Sequence, residues 1–185
     1  MKEIATPHSV FVALGSNLGD SASILAEAME RLGVLSTGRV RRSSLWSTSP
    51  VDCPPGSPPF VNAVVALTPL VDETPESLLS KLQEIEREFG RRPKSVLNEP
   101  RPLDLDLIAW GNETRSTPEL TLPHPRATGR QFVLRPLAEI APEFAWPGTG
   151  QLVATLLADL RTDEEIRRLE QPGGPGLIQS HEDPP

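Results

Sequence analysis

The sequence predicts a single compact α+β domain: an antiparallel, ferredoxin-like sheet with helices packed on one face. Two observations lead to this prediction. Segments with the apolar patterns of strands and helices follow one another in the order strand–helix–strand–strand–helix–strand. The chain has 185 residues, which suits one domain and buries a core without disulfides. We place the domain at residues 8–162 and expect residues 1–7 and 171–185 to be disordered termini.

The first half of the predicted order runs from a strand through a helix to a second strand. Residues 9–14 (SVFVAL) are mostly apolar and lead into Gly15, which begins the turn-rich segment Gly-Ser-Asn-Leu-Gly-Asp. Apolar residues then recur at helical spacing over residues 24–32, after a polar capping residue. Residues 34–46 alternate and contain β-branched side chains, which predicts one long strand.

The second half begins after a Pro-rich segment at residues 49–59, which excludes a helix or a central strand there. Residues 60–67 (FVNAVVAL) predict the third strand. Thr74 and Pro75 supply a cap and a first helical residue for a helix that ends at Gly90. The remaining predicted elements are a loop at 91–102, a strand at 103–110 and helices at 132–140 and 152–160.

Composition narrows the class of protein. The net charge is −7, so nucleic acid and anionic membranes are poor general partners, because affinity for phosphate comes largely from Lys and Arg. Cys53 is the single cysteine, which suits a reducing compartment. No apolar run approaches the length of a membrane span or a signal peptide. We therefore expect a soluble, cytoplasmic protein that binds neither nucleic acid nor membrane.

Two carboxylates in the last strand form the most informative pattern. Asp104 and Asp106 are two residues apart, so they point to one face of the strand, while the leucines between and beside them point to the other. One interpretation is an ordinary solvated face, since antiparallel strands commonly alternate apolar and polar residues. The other is a magnesium site, since Mg²⁺ is typically held by one or two carboxylates together with substrate phosphates.

Basic residues near this pair favour the second interpretation. Arg91, Arg92, Lys94 and Arg101 precede the aspartates, and a later segment contains His124 between two prolines, followed by further arginines. Phosphoryl transfer needs positioned phosphates, a bridging metal ion and cationic groups that stabilise the spread negative charge. The chain contains neither the G-x-x-x-x-G-K-[ST] motif nor the G-x-G-x-x-G motif. The pattern thus predicts phosphoryl-transfer chemistry on a scaffold of neither the P-loop nor the protein-kinase type.

The motifs, taken in order, resemble the 6-hydroxymethyl-7,8-dihydropterin pyrophosphokinase family. The similarity extends from about Val10 to Pro147. The segments that carry it are Gly15-Ser16-Asn17-Leu18-Gly19, residues 48–62, Arg101-Pro102-Leu103-Asp104-Leu105-Asp106, and Pro123-His124-Pro125-Arg126 with Phe132. The resemblance implies an ATP-dependent enzyme of folate biosynthesis that attacks the β-phosphorus of MgATP, transfers pyrophosphate to the pterin alcohol and releases AMP. We expect the protein to be a monomer.

The resemblance implies a role for each matching residue. Asp104 and Asp106 would hold two magnesium ions, and with Arg91 and Arg101 they would form the catalytic set. The pterin would lie between the rings of Phe60 and Phe132, a stacking arrangement suited to a flat heterocycle. Residues implied to contact ATP are Gln83, Glu86, Arg91, Leu107, Thr121, His124 and Arg130. Residues implied to contact the pterin are Thr48, Ser49, Val51, Phe60, Asn62 and Phe132.

The chain departs from the family pattern just before the Asp pair. Many members have Arg-Trp-Gly-Pro-Arg there, whereas this chain has Asn98 and Glu99 at the Trp and Gly positions. A further family arginine corresponds to Pro93. We expect loop closure to differ in detail and catalysis to be retained, with Arg92 or Lys94 replacing the missing phosphate contact.

Three other functions are compatible with parts of the pattern. A different Mg-dependent phosphoryl-transfer enzyme or phosphohydrolase would use Asp104 and Asp106 but would not need Phe60, Asn62 and Phe132. A ferredoxin-like RNA-binding module would need a basic face bearing aromatic residues, which the acidic composition opposes. A non-catalytic pterin binder would not need the aspartates. Consumption of ATP that depends on the pterin alcohol separates these alternatives.

Overall fold

The computed structural model describes residues 9–50, 56–92 and 100–170. Most elements lie within a residue or two of their predicted bounds. The strands are β1 (Val10–Ser16), β2 (Arg41–Arg42), β3 (Trp46–Thr48), β4 (Phe60–Leu67), β5 (Asp104–Trp110), β6 (Arg115–Ser116), β7 (Thr121–Leu122) and β8 (Ile166–Arg168). The helices are α1 (Ser21–Gly33), α2 (Pro75–Glu88), α3 (Gln131–Ile140) and α4 (Val153–Asp159), with a 3-10 turn at Ala127–Gly129.

The main sheet has the strand order β5-β1-β4-β3-β8, and β2 also pairs with β4. All of these pairings are antiparallel. The first predicted strand, β1, therefore lies between the last predicted strand, β5, and the third, β4. The α+β, ferredoxin-like fold is confirmed, with β1 and β4 in the interior of the sheet.

Helices cover both faces of the sheet, which corrects the expectation of helices on one face. Val10, Val12 and Leu14 of β1 pack in one cluster with the buried residues of α1 and α2. Phe11, between them, packs on the other side with buried residues of α3. Because β1 carries apolar side chains on both faces, each face must be covered by other elements. α1 and α2 cover one face, and α3 covers the other.

The single long strand predicted for residues 34–46 is wrong. β2 pairs Arg41 with Ala66, whereas β3 pairs Trp46 with Asn62, so the register shifts by one residue between them. Ser43 lies at the shift: its backbone N–H donates to the Val64 carbonyl, and its side-chain oxygen accepts from the Val64 N–H, both at 2.9 Å. The serine side chain thus replaces a ladder acceptor at a bulge, which interrupts the strand.

The start of α2 follows the predicted capping pattern. Thr74 accepts from the Ser77 backbone N–H, Ser77 accepts from the Thr74 backbone, and Pro75 occupies the first turn. These bonds satisfy backbone donors that the first helical turn leaves without partners. In the described ranges, no helix combines the length and apolar character needed to span a bilayer.

Strand β8 was not predicted. Its residues are mostly charged and exposed, so they lack the apolar alternation that marks a strand. It pairs with β3, where Thr48 lies opposite Ile166, and Arg168 donates to both Ser44 and Glu139. The chain beyond residue 162 therefore extends the sheet at the edge beside Thr48.

Candidate active site

A cavity of about 530 Å³ opens on the face of the sheet that also carries α3, near the ends of β1, β4 and β5. Backbone from the centre of the sheet forms its floor, and the 3-10 turn and the start of α3 form one wall. Its lining combines carboxylates, arginines, an amide and two phenylalanines, namely Ala13, Leu14, Gly15, Thr48, Ser49, Phe60, Asn62, Arg101, Asp104, Asp106, Pro125, Arg126, Thr128, Gly129, Arg130, Phe132 and Glu164.

The two aspartates of β5 line this cavity together, as their spacing predicts. Leu105, between them, points to the opposite side and packs in the core with α1 and α2. Burial, and then the charge of Asp104, raise the pKa of Asp106 above its usual value. The Arg130 guanidinium lies 4.0 Å from Asp106. Two neighbouring carboxylates at a partly buried site form a locally negative centre that attracts cations.

Two arginines contact Asp104. Arg91 lies 2.7 Å from one carboxylate oxygen and Arg101 lies 2.7 Å from the other. All three side chains are largely buried, so these ion pairs are screened less than surface pairs. The arrangement places two guanidinium groups, each able to bind phosphate oxygens in a bidentate way, directly beside the carboxylate pair.

Glu86 of α2 contacts Arg91 from the face of the sheet that carries α1 and α2. Its carboxylate accepts from Arg91 and, at 2.7 Å, from the Leu105 backbone N–H. Burial raises the pKa of Glu86 to about 7, although the hydrogen bond from Leu105 and the charge of Arg91 oppose this change. The carboxylate therefore holds Arg91 rather than lining the cavity.

The Gly-Ser-Asn-Leu-Gly motif holds Arg101 in place. Asn17 accepts from the Arg101 backbone N–H at 2.9 Å, and the Asn17 backbone N–H donates to the Arg101 carbonyl at 3.2 Å. Asn17 is buried, so these bonds are protected from water. The loop after β1 and the residue before β5 are thereby joined at the edge of the cavity.

A polar pair lies on the floor of the cavity. The Asn62 side-chain N–H donates to the Thr48 hydroxyl at 2.8 Å, and both residues are buried. This bond fixes the orientation of the amide and directs its oxygen toward Gly15, which pairs with Asn62 across β1 and β4. A Cβ at Gly15 would lie 3.3 Å from that oxygen, so glycine allows the amide this position.

The two phenylalanines predicted to stack on a heterocycle both line the cavity. The Arg101 guanidinium lies 5.6 Å from the centre of the Phe60 ring, and Arg130 lies 5.3 Å from the centre of Phe132. These distances are typical of cation–π contacts. Within the described ranges, the two rings do not contact each other.

His124 lies on the loop between β7 and the 3-10 turn. Its backbone N–H donates to the Ile108 carbonyl at 2.8 Å, which ties the loop to β5. Its Nδ1 accepts from the Arg126 N–H, so the neutral ring carries its proton on Nε2. Burial lowers the pKa of His124, and the charge of Asp106 opposes this change. The ring can thus present an N–H donor beside the carboxylate pair.

Several other predicted site residues lie away from the cavity lining. Gln83 is exposed on α2, and Thr121 is exposed in β7. The Leu107 side chain is buried in the core on the opposite side of the sheet, so only its backbone faces neighbouring strands. Val51 and the loop residues Pro93, Lys94, Asn98 and Glu99 lie outside the described residues, while Arg92 is described and exposed.

Some lining residues were not predicted as site residues. Arg126 and Pro125 belong to the Pro-His-Pro-Arg motif, which was the available signal for them. Thr128 belongs to the 3-10 turn that follows. Glu164 comes from the segment before β8, where no sequence pattern indicates a site.

The carboxylate pair fits a magnesium ion shared with a phosphate ligand. Among residues 9–50, 56–92 and 100–170, no group of three or more His, Cys, Asp or Glu side chains is placed to hold a metal ion. Mg²⁺ commonly uses one or two carboxylates and completes its octahedron with waters and phosphate oxygens, which matches Asp104 and Asp106.

The chain is similar in sequence to known proteins of folate synthesis. The chain is 39% identical over 150 residues to a 2-amino-4-hydroxy-6-hydroxymethyldihydropteridine pyrophosphokinase of Synechocystis, covering 81% of this chain and 75% of that one. It is 41% identical to the mitochondrial folate synthesis bifunctional protein of Arabidopsis thaliana, but spans only 24% of that longer protein.

A solved Plasmodium falciparum HPPK-DHPS structure with pteroate has a TM-score of 0.63 and 15% identity, and the match covers 81% of this chain and 42% of that chain. At this identity the likeness concerns the fold. A sequence model described as 7,8-dihydro-6-hydroxymethylpterin-pyrophosphokinase (HPPK) matches residues 11–142, which run from the second residue of β1 past the end of α3 and include most of the cavity lining. The chain therefore belongs to the 7,8-dihydro-6-hydroxymethylpterin-pyrophosphokinase family.

Proposed function

We propose that this protein transfers the pyrophosphoryl group of MgATP to 6-hydroxymethyl-7,8-dihydropterin, in tetrahydrofolate biosynthesis, and releases AMP. The observation that carries the proposal is one cavity lined by a carboxylate pair, arginines, a buried amide and two phenylalanines. The substrate hydroxyl oxygen bonds to the β-phosphorus, and the bond from that phosphorus to the bridging α-oxygen breaks. The bridging oxygen leaves with AMP, and the hydroxyl proton goes to solvent.

ATP binds at the end of the cavity that carries Asp104 and Asp106. These carboxylates would hold two magnesium ions, which would neutralise negative charge on the phosphates. The side chains of Arg91, Arg101 and Arg130 bind phosphate oxygens and stabilise the charge that spreads during transfer. His124 donates from Nε2 to a phosphate oxygen. Gln83, Glu86, Thr121 and the backbone of Leu107 contact the remainder of the nucleotide.

The pterin binds at the other end. Its flat ring enters between Phe60 and Phe132, which adds stacking energy to the burial of apolar surface. Asn62, oriented by Thr48, presents an amide oxygen that accepts from ring N–H groups, and residues around Ser49 and Val51 complete the pocket. A polar edge read by a pre-oriented buried amide discriminates strongly against analogues that lack the matching donors.

The cationic loop before β5 supplies further phosphate contacts. Arg92 or Lys94 takes the place of the family arginine that Pro93 replaces. We also propose that the protein acts as a monomer in the cytoplasm and binds no nucleic acid. Its net charge of −7 supports the last point, because nucleic-acid affinity depends on clustered basic residues.

The test is to incubate the protein with MgATP and 6-hydroxymethyl-7,8-dihydropterin and to identify the nucleotide product. AMP that forms only in the presence of the pterin supports pyrophosphoryl transfer. Asp104→Ala should abolish this AMP while circular dichroism stays unchanged, because Asp104 is not part of the apolar core. ADP, or hydrolysis of ATP without the pterin, would instead indicate a kinase or phosphohydrolase on this fold.

A further inference from the structure

Glu164 is a cavity residue contributed by a part of the chain outside the family match. The match ends at residue 142, whereas Glu164 lies just before β8 and lines the cavity beside residues predicted to hold the pterin. The side chain is half-buried, and burial raises its pKa above the usual value. A carboxylate kept at such a position needs partners that offset the cost of its burial.

Those partners are at the start of α3. The Gln131 backbone N–H donates to Glu164 Oε2 at 3.1 Å, and the Phe132 N–H also stabilises the carboxylate. The residue in the capping position of α3 is Arg130, whose side chain supplies no cap hydrogen bond. The first turn of a helix leaves N–H groups without partners and favours negative charge. Glu164, from a distant segment, therefore accepts hydrogen bonds from N–H groups of the first turn of α3, which a capping side chain next to the helix normally accepts.

The capped turn carries two of the proposed substrate contacts. Gln131 lies between Arg130 and Phe132 in the chain. The Arg130 guanidinium lies over the Phe132 ring and reaches to 4.0 Å from Asp106. Both side chains line the cavity together with Glu164. Any loosening of this turn would move an aromatic wall of the pocket and a cation beside the carboxylates at the same time.

Glu164 is itself held on the opposite side. The Ser49 N–H donates to the Glu165 carbonyl at 3.3 Å, and β8 then continues the sheet beside β3. Arg168 contacts Glu139 of α3, which also accepts from the Ser44 backbone N–H. The segment before β8 is thus fixed between the Thr48–Ser49 edge and the start of α3.

We propose that Glu164 is a positioning residue that holds the first turn of α3, and through it Phe132 and Arg130, in the geometry that binds the pterin. This inference rests on the proposed pyrophosphokinase function. Phe132 is one of only two proposed ring contacts, whereas Arg130 is one of several cationic groups at the phosphates. The effect is therefore expected mainly on the pterin, and less on ATP.

The experiment compares Glu164→Ala, Glu164→Gln and, as a matched control, Glu165→Ala, whose exposed side chain can be removed without altering its backbone carbonyl. Glu164→Ala should raise the KM for the pterin about three- to tenfold, the range expected for loss of one hydrogen bond, with a smaller change in the KM for ATP. Glu164→Gln keeps an acceptor oxygen and should restore most of the affinity. Glu165→Ala should match the wild type. A purely structural role would lower the melting temperature without this selective rise.

Amide hydrogen exchange in the substrate-free protein provides a readout that does not need activity. Residues 131–134 should exchange faster in Glu164→Ala than in the wild type or in Glu165→Ala. Equal exchange, or equal pterin KM, in Glu164→Ala and Glu165→Ala would overturn the inference. Absence of pterin-dependent AMP in the wild type would instead count against the proposed function, and the exchange measurement would still decide the role of Glu164.

Discussion

Arg91 and Asp104 form an ion pair 2.7 Å long at the point where α2 meets β5. The same guanidinium also contacts Glu86, which accepts from the Leu105 N–H next to Asp104. One arginine therefore connects a proposed metal-binding carboxylate to a buried carboxylate of the helix layer. Arg91 should therefore affect both the chemistry proposed for the cavity and the stability of the fold.

Arg91→Ala should reduce both activity and stability. Loss of a cation at the phosphates should lower kcat by about 10²-fold, as for other single groups that stabilise charge in a transition state. The free energy of unfolding should also fall, because without Arg91 the buried Glu86 must either take up a proton or remain as an unpaired charge. The measurements are AMP formation and urea unfolding.

The double variant Glu86→Gln/Arg91→Ala separates the two effects. Because it removes the uncompensated charge, it should recover most of the lost stability. It should not recover activity, because the cation is still missing. If both variants unfold at the same urea concentration, the stability argument for this pair is wrong.

The pH dependence of stability should change in Glu86→Gln. The pKa of Glu86 is raised to about 7 in the folded protein, so folding favours its protonated form. Its contribution to stability is then complete below the unfolded pKa and decreases as the pH rises through the folded pKa. The wild type should thus lose more stability than Glu86→Gln between about pH 5 and pH 8, as measured by urea unfolding. Parallel pH profiles for the two proteins would contradict the raised pKa.

Gly15→Ala should weaken pterin binding while the fold is retained. The added Cβ would meet Asn62 Oδ1 at 3.3 Å, so the amide must move by a few tenths of an ångström. A displaced Asn62 no longer matches the donors of the ring, and the KM for the pterin should rise about tenfold or more. Steady-state kinetics at saturating MgATP measures this change.

Gly129→Ala is the control for this substitution. Gly129 also lines the cavity, but a Cβ there meets nothing within 4 Å. Its kinetics should stay close to those of the wild type. Equal effects at the two glycines would show that crowding of Asn62 is not the cause.

Arg92→Ala and Lys94→Ala test how the chain compensates for the missing family arginine. If either side chain supplies the phosphate contact, its removal should raise the KM for ATP and lower kcat, because a cation at the phosphates is lost. Arg92 is exposed, and contacts between exposed cations and phosphates weaken with salt, so its effect should decrease at high ionic strength. Unchanged turnover in both variants would end the compensation hypothesis.

Much of the site could be predicted from local patterns. The alternation of Leu and Asp in β5 determined that both carboxylates share a face, because strand geometry repeats every two residues. The positions predicted for Asn62, Thr48, Phe60 and Phe132 depended on the family resemblance, and all four line the cavity. Glu86, predicted as a nucleotide contact, accepts hydrogen bonds from Arg91 and the Leu105 backbone in the substrate-free structure. No local pattern could show the contact with Leu105, which lies in β5, although Arg91 is only five residues from Glu86.

The sequence by itself determined the positions of β1, β4, β5 and the four helices, the capping of α2 and the shared face of Asp104 and Asp106. Each of these depends on residues within a few positions of one another. Only the tertiary structure decided that α3 covers the second face of the sheet, that Asn17 holds Arg101, and that Glu164 caps α3 from 33 residues away. The periodicity of a sequence shows which face of a helix or strand is apolar. Which other element packs against that face depends on the packing of the whole chain.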